Sequence, residues 1–172
     1  MGQTVTLPEL REQIAALKTA GRRIAFANGH FDILHVGHLR YLQAAKEEGD
    51  VLVVGINSDE SVRRLKGRDR PIVPAAERAE LLAALVPVDF VVVFEGDSPA
   101  PLLADLQPDV HCKGTDYGSP ERVPEYETVR AYGGRTVLVG DPKDHATSDV
   151  IARIRRKNEL VESIREMEDL AG

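Results

Sequence analysis

The sequence has one cysteine, Cys112, in 172 residues. That excludes a disulfide framework within the chain and a four-cysteine zinc site. No secretory leader is expected from "MGQTVTLPELREQ", which has no basic region followed by an apolar run. Long hydrophobic stretches are missing too. Runs such as "DFVVVF" are strand-sized and too short to cross a bilayer. Positive charge is not in excess: 22 Lys and Arg face 28 Asp and Glu, for a net charge of -6. That balance argues against nucleic acid as a partner. A small anionic ligand fits it, provided that basic groups converge locally. There is no internal repeat, low-complexity tract or linker. With 42% hydrophobic and 29% charged residues, the expectation is one globular domain over 1–172, cytoplasmic and without membrane partners. A chain this long buries roughly 70% of its unfolded surface.

What is present is an alternation of helix-like and strand-like segments. "TLPELREQIAALKTAG" reads as a helix, with Thr6 as its cap, Pro8 in the first turn and Gly21 at its end. "RIAFAN", "DVLVVGIN", "DFVVVF", "DVHCK" and "RTVLVG" read as buried strands. Between them lie the helical patterns "VGHLRYLQAAKEEG", "SDESVRRLK", "PAAERAELLAAL", "SPAPLLADL" and "VPEYETVRAYGG". A last amphipathic helix runs from Ser148 to about Met167, with Ile151, Ile154, Val161, Ile164 and Met167 as its apolar positions. The order predicts an α/β fold: a Rossmann-like, doubly wound, mostly parallel five-stranded sheet with helices on both faces. Within it, 1–22 forms an N-terminal helix, 23–147 the core and 148–172 a C-terminal helix. The apolar stripe of that last helix predicts a packing surface or a homodimer.

In such folds ligands bind beyond the carboxyl ends of the strands. "GHFDILHVGH" (29–38) sits at one of those ends and holds three of the five histidines. Asn57, Glu95 and "KGTDY" (113–117) sit at others. Three readings of the histidine stretch are open. His35 and His38 share a helix face and could bind zinc with His30 and Asp32, though a zinc site has no need of Gly37 between them. Alternatively, His30 closes a turn and His35 caps a helix. The third reading, a phosphate cradle, uses every part. A helix starting near Val36 offers N–H groups and a positive dipole end to an anion. Gly29 and Gly37 allow close approach, and His35 and His38 donate to phosphate oxygens. The basic loop "KGRDRP", with Lys66 and Arg70, is by itself an ordinary solvated loop. Asn57-Ser58-Asp59 is also a good helix cap. His111 reads as a packed strand residue. Cys112 lies on another strand, so no Cys–His nucleophile is formed there.

The stretch resembles the GxFDxxHxGH signature of the nucleotidyltransferase superfamily, whose HxGH element binds the nucleotide triphosphate. "VGINSDESVRRLKGRDRPIVP", "PDVHCKGTDY" and "YGGRTVLVGDPKDHATSDVIARI" narrow the resemblance. From about residue 23 to 155 the chain is similar to the adenylyltransferases that make ADP-heptose from heptose 1-phosphate and ATP. The resemblance implies roles for individual residues. His35, His38 and Lys66 would carry catalysis by handling the triphosphate. Asn28, Gly29, Phe31, Asp32 and Gly37 would shape the nucleotide loop, with Asp32 orienting it or helping to hold Mg²⁺. Asn57, Arg70, Lys113, Gly114 and Asp116 would lie near the substrates. Thr147 and Ser148 match a late hydroxyl motif facing the phosphates. The implied cofactor is Mg²⁺ arriving with ATP, and the implied partner is a sugar 1-phosphate. Three departures stand out. His30 occupies a position where relatives often have Cys. Ala146 replaces the first hydroxyl of the late motif. The arginine that precedes this motif in cytidylyltransferases is not evident, with Lys143 as a substitute; the role of His145 stays open. The kinase domain of bifunctional members is not found here, which predicts a stand-alone transferase.

Overall fold

Every residue of "VLVVGIN" is buried, which a strand achieves only when helices cover both faces of its sheet. The computed structural model describes residues 1–141 and 146–171, with the side chains of Leu160 and of 163–171 outside that description. Its elements are β1 (Gln3–Thr4), α1 (Leu7–Thr19), β2 (Ile24–Gly29), α2 (Val36–Glu47), β3 (Val51–Asn57), α3 (Asp59–Lys66), α4 (Ala75–Ala83), β4 (Phe90–Phe94), α5 (Ala100–Leu106), β5 (Val110–Gly114), α6 (Tyr126–Ala131), β6 (Arg135–Val139) and α7 (Thr147–Ala171). Among the described residues the strands form one parallel sheet in the order β1-β4-β3-β2-β5-β6.

Two details depart from the expected pattern. The sheet has six strands rather than five, because β1 adds to its edge by pairing Gln3 with Phe90 and Thr4 with Val91. Two exposed polar residues carry no period to read; backbone bonds such as Gln3 N–H to the Asp89 carbonyl make the strand. The segment "VPEYETVRAYGG" is helical only from Tyr126. Pro120 and Pro124 both lack an N–H, and a 3₁₀ turn at Pro120–Arg122 precedes the helix instead. The first helix begins as its sequence indicates: Thr6 and Glu9 form a reciprocal capping box.

Alternation along the strands divides the core into two layers. Ala25 and Ala27 of β2, Leu52 and Val54 of β3 and Cys112 of β5 pack toward Leu42 and Ala45 of α2 and Leu82 of α4. Phe26 of β2 and Val53 of β3 pack the other way, against Leu10 and Ile14 of α1, Leu103 of α5 and Val129 of α6. The chain runs outward from β2 through β3 to β4, then returns to the far side of β2 as β5. The switch point therefore lies between β2 and β5, and their carboxyl ends are Asn28–Gly29 and Lys113–Gly114.

Candidate active site

At that switch point lies a cavity of about 790 Å³. Every residue singled out from the motifs lines it: Asn28, Gly29, Phe31, Asp32, His35, Gly37, His38, Asn57, Lys66, Arg70, Lys113, Gly114, Asp116, Thr147 and Ser148. They do so in different ways.

The β2–α2 corner forms one wall. His35 holds the N-cap position of α2 without a side-chain capping bond, so its ring is not the helix's cap. The rings of His35 and His38 stack at 3.8 Å, and Phe31 packs on His38 at 5.2 Å. Gly37 sits in the first turn between them, beside the exposed amides of the helix start. Phe31 adopts φ 47°, an uncommon backbone for a bulky residue. A Cβ on Gly29 would lie 3.0 Å from its ring, so glycine there gives the ring its place.

Asp32 is buried, and its carboxylate is already engaged. One oxygen accepts from Arg70 Nε at 2.5 Å; the other accepts from the backbone N–H groups of Ile72 and Val73 at 2.8 Å. This geometry fits loop orientation. Among the described residues no three His, Cys, Asp or Glu side chains converge as metal ligands. Asp32 thus folds the basic loop over the cavity and sets Arg70 on its rim, near the exposed Lys66 at the end of α3. Asn57 lines the cavity, but its amide donates to Ser61 Oγ and to the Gly96 carbonyl. It serves as a structural pin there.

On the β5 side, Lys113 Nζ lies 3.5 Å from Asn28 Oδ1 and 5.2 Å from the centroid of the Tyr117 ring. Gly114 is tightly placed, since a Cβ would meet Asp116 Oδ1 at 2.7 Å. The start of α7 closes the far side. Thr147 Oγ1 donates to the Ile33 carbonyl, which ties α7 to the histidine loop, while Ser148 is exposed beside it. Ala146 lines the same wall. Lys143 and His145 lie outside the described residues.

Basic groups converge around His30 in the cavity wall. His30 is pushed down to about 4, first by burial and then by Lys66, Arg78, Arg70 and Lys113. It is therefore a neutral ring at pH 7. The Cys112 thiol is pushed up to about 12, mainly by burial, and is inert as a nucleophile.

Several contributors are not evident from the motifs. Arg78 is fully buried and donates to the carbonyls of Val73, His30 and Asn57 and to Asp59 Oδ1. An arginine on the apolar stripe of "PAAERAELLAAL" was the available signal. His111, read as a packed residue, is indeed buried, but its Nε2 also meets Asn28 Oδ1 at 3.0 Å. Burial, then Lys113, pushes it down to about 3. The i, i+2 spacing of His111 and Lys113 places both on the Asn28 face. Tyr41 donates to the Cys112 carbonyl at 2.7 Å from within the cavity wall, and Glu125 stands beside Lys113.

A cytidylyltransferase-like family model matches residues 26–166. The chain belongs to the cytidylyltransferase-like family. Its relatives include proteins named Bifunctional protein HldE. The one from Geotalea uraniireducens is 54% identical over 149 residues, covering 87% of this chain and 30% of the relative. That from Geobacter metallireducens is 52% identical over 143 residues, covering 83% and 29%. The chain thus spans about 30% of the length of these relatives. Among solved structures, a lipopolysaccharide core biosynthesis protein from Thermoplasma volcanium superposes with TM-score 0.61 at 29% identity, over 72% of this chain and 100% of that one. A pantoate-beta-alanine ligase from Francisella tularensis shares the fold alone, with TM-score 0.60 at 15% identity over 87% and 76% of the two chains.

Proposed function

We propose that this chain transfers an adenylyl group from ATP to a sugar 1-phosphate, D-glycero-β-D-manno-heptose 1-phosphate above all. Family membership supports nucleotidyl transfer. The resemblance of the flanking motifs supports ATP and a heptose phosphate, in keeping with the name of the Thermoplasma relative, a lipopolysaccharide core biosynthesis protein. The observation that carries the reading is the convergence of the histidine pair, the basic loop, Lys113 and the α7 start on one cavity at the sheet's switch point. A phosphate oxygen of the sugar 1-phosphate attacks the α-phosphorus of ATP in line; the bond to the β-phosphate oxygen breaks, and pyrophosphate leaves with the electron pair. His35, His38, Lys66 and Arg70, with the amides at the starts of α2 and α7, stabilise the charge on the phosphate oxygens. Mg²⁺ bound to the nucleotide would neutralise part of that charge. No covalent enzyme intermediate forms.

The reading places the protein in the cytoplasm; among the described residues no helix is long and apolar enough to cross a membrane. It includes a homodimer through α7, where Ile154 and Val161 are exposed. The sequence of α7 is basic at Arg153, Arg155, Arg156 and Lys157 and acidic at Glu159 and Glu162, so antiparallel pairing of two copies joins opposite charges. Pyrophosphate release with ATP, CTP and a panel of sugar and polyol phosphates tests the activity. Release with ATP and the heptose phosphate is expected. Release only with CTP and a polyol phosphate would make the chain a cytidylyltransferase. Tight ATP binding without product from any acceptor would make it a nucleotide sensor.

A further inference from the structure

The two sides of the cavity differ in chemistry. His35, His38 and the α7 start approach from the α2 side, where the helix ends and imidazoles suit a polyanion. Lys113 and Glu125 approach from the side of α5 and α6, and Glu125 brings a negative charge. It is 4% exposed. Its Oε1 accepts from Ser98 Oγ at 3.1 Å. Its Oε2 receives no hydrogen bond from the described residues and stands 3.9 Å from Lys113 Nζ, beyond hydrogen-bond reach. A buried carboxylate oxygen without a donor is costly, and such groups are rare unless a ligand or water completes them. Glu125 lines the cavity, and its ion pair with Lys113 leaves the hydrogen-bonding capacity of that oxygen unfilled.

We propose that Lys113 and Glu125 form the acceptor subsite, and that Glu125 determines specificity by accepting a hydrogen bond from a sugar hydroxyl close to the transferred phosphate. The inference rests on the transferase reading above. Lys113 attracts the acceptor phosphate, and the carboxylate beside it repels a triphosphate. A nucleotide is therefore directed to the α2 side, and this side selects a ligand that combines one phosphate with neutral donors. A sugar 1-phosphate has that combination; a plain alkyl phosphate has only half of it.

The test is calorimetric titration of a hexose or heptose 1-phosphate, and separately of methyl phosphate, into the protein loaded with Mg²⁺ and a non-hydrolysable ATP analogue. Wild type is compared with Glu125→Gln and Glu125→Asp, and melting curves check folding. Both variants should weaken sugar 1-phosphate binding by about 10- to 100-fold, the worth of a hydrogen bond to a charged group. Methyl phosphate should bind the Gln variant no more weakly than wild type, since Lys113 keeps its charge. Affinity for the ATP analogue should not fall. Equal losses for both phosphates, no loss for either, or no sugar phosphate binding by wild type would overturn the subsite. Glu125-dependent sugar phosphate binding without pyrophosphate release from any nucleotide would keep the subsite and reject the transferase reading. Equal turnover by wild type and variants would do the reverse.

Discussion

One charged side chain, Asp32, holds much of the geometry of the site and need not touch a substrate. Asp32 pins the basic loop through Arg70 and two backbone amides, with 1% of its side chain exposed. Replacing it by alanine leaves Arg70 and both amides without their acceptor. Asp32→Ala should cost about 3 kcal/mol by the usual measure for breaking a buried pair, read as a lower denaturation midpoint. It should also raise KM for the nucleotide, because Lys66 and Arg70 lose their fixed position. The histidines behave differently. In the proposed reaction, His35→Ala or His38→Ala removes a donor to the phosphates together with one ring of the stacked pair. Either change should lower kcat by about 100- to 1000-fold while the melting temperature stays near that of wild type. Loss of folding in step with loss of turnover would assign these rings to structure instead.

At the scale of elements, α4 acts through one residue. Arg78 joins the β2 end, the β3 end, the α3 start and the segment before α4 from a fully buried position. Arg78→Met keeps much of the volume, removes this donor from three carbonyls and leaves Asp59 Oδ1 with only the Ala75 N–H. A loss of about 3–5 kcal/mol is expected, measured by urea unfolding, together with a weaker nucleotide site as His30 and Asn57 shift. The element boundaries show what was legible in the sequence. The β2–α2 corner is, because its glycines, histidines and period change all fall within ten residues. The edge strand β1 and the late start of α6 are not, because backbone pairing and missing proline N–H groups decide them rather than a side-chain period.

For the whole molecule, buried neutral histidines set the response to acid. His111 is pushed down to about 3 and His30 to about 4, whereas both titrate near 6.5 in the unfolded chain. The folded state therefore binds fewer protons than the unfolded state between those values. The stability they contribute is fully present above about pH 6.5 and is lost as the pH falls toward 4 and then 3. Fully buried His111 contributes a slope on the order of 1 kcal/mol per pH unit below its unfolded value. Melting temperature should thus fall from pH 6.5 to pH 5, before most carboxylates titrate. His111→Gln, which keeps a donor for Asn28, should flatten that fall. An unchanged slope would show that other groups govern it.

The sequence by itself determined the α/β alternation, the place of the cavity beyond the strand ends and the residues that line it. These follow from local patterns: continuous apolar strands, a glycine-bearing corner and helix-start signals, each read within a few neighbouring residues. Tertiary structure alone decided the division of labour among those residues. Asp32, expected to orient the loop or help hold Mg²⁺, anchors Arg70, a partner 38 residues away. Asn57 became a pin, His111 gained Asn28 as a neighbour, and Glu125 arrived beside Lys113. A side chain's chemistry depends on which groups already occupy its lone pairs and protons. In a parallel sheet those groups come from strands and loops distant in sequence.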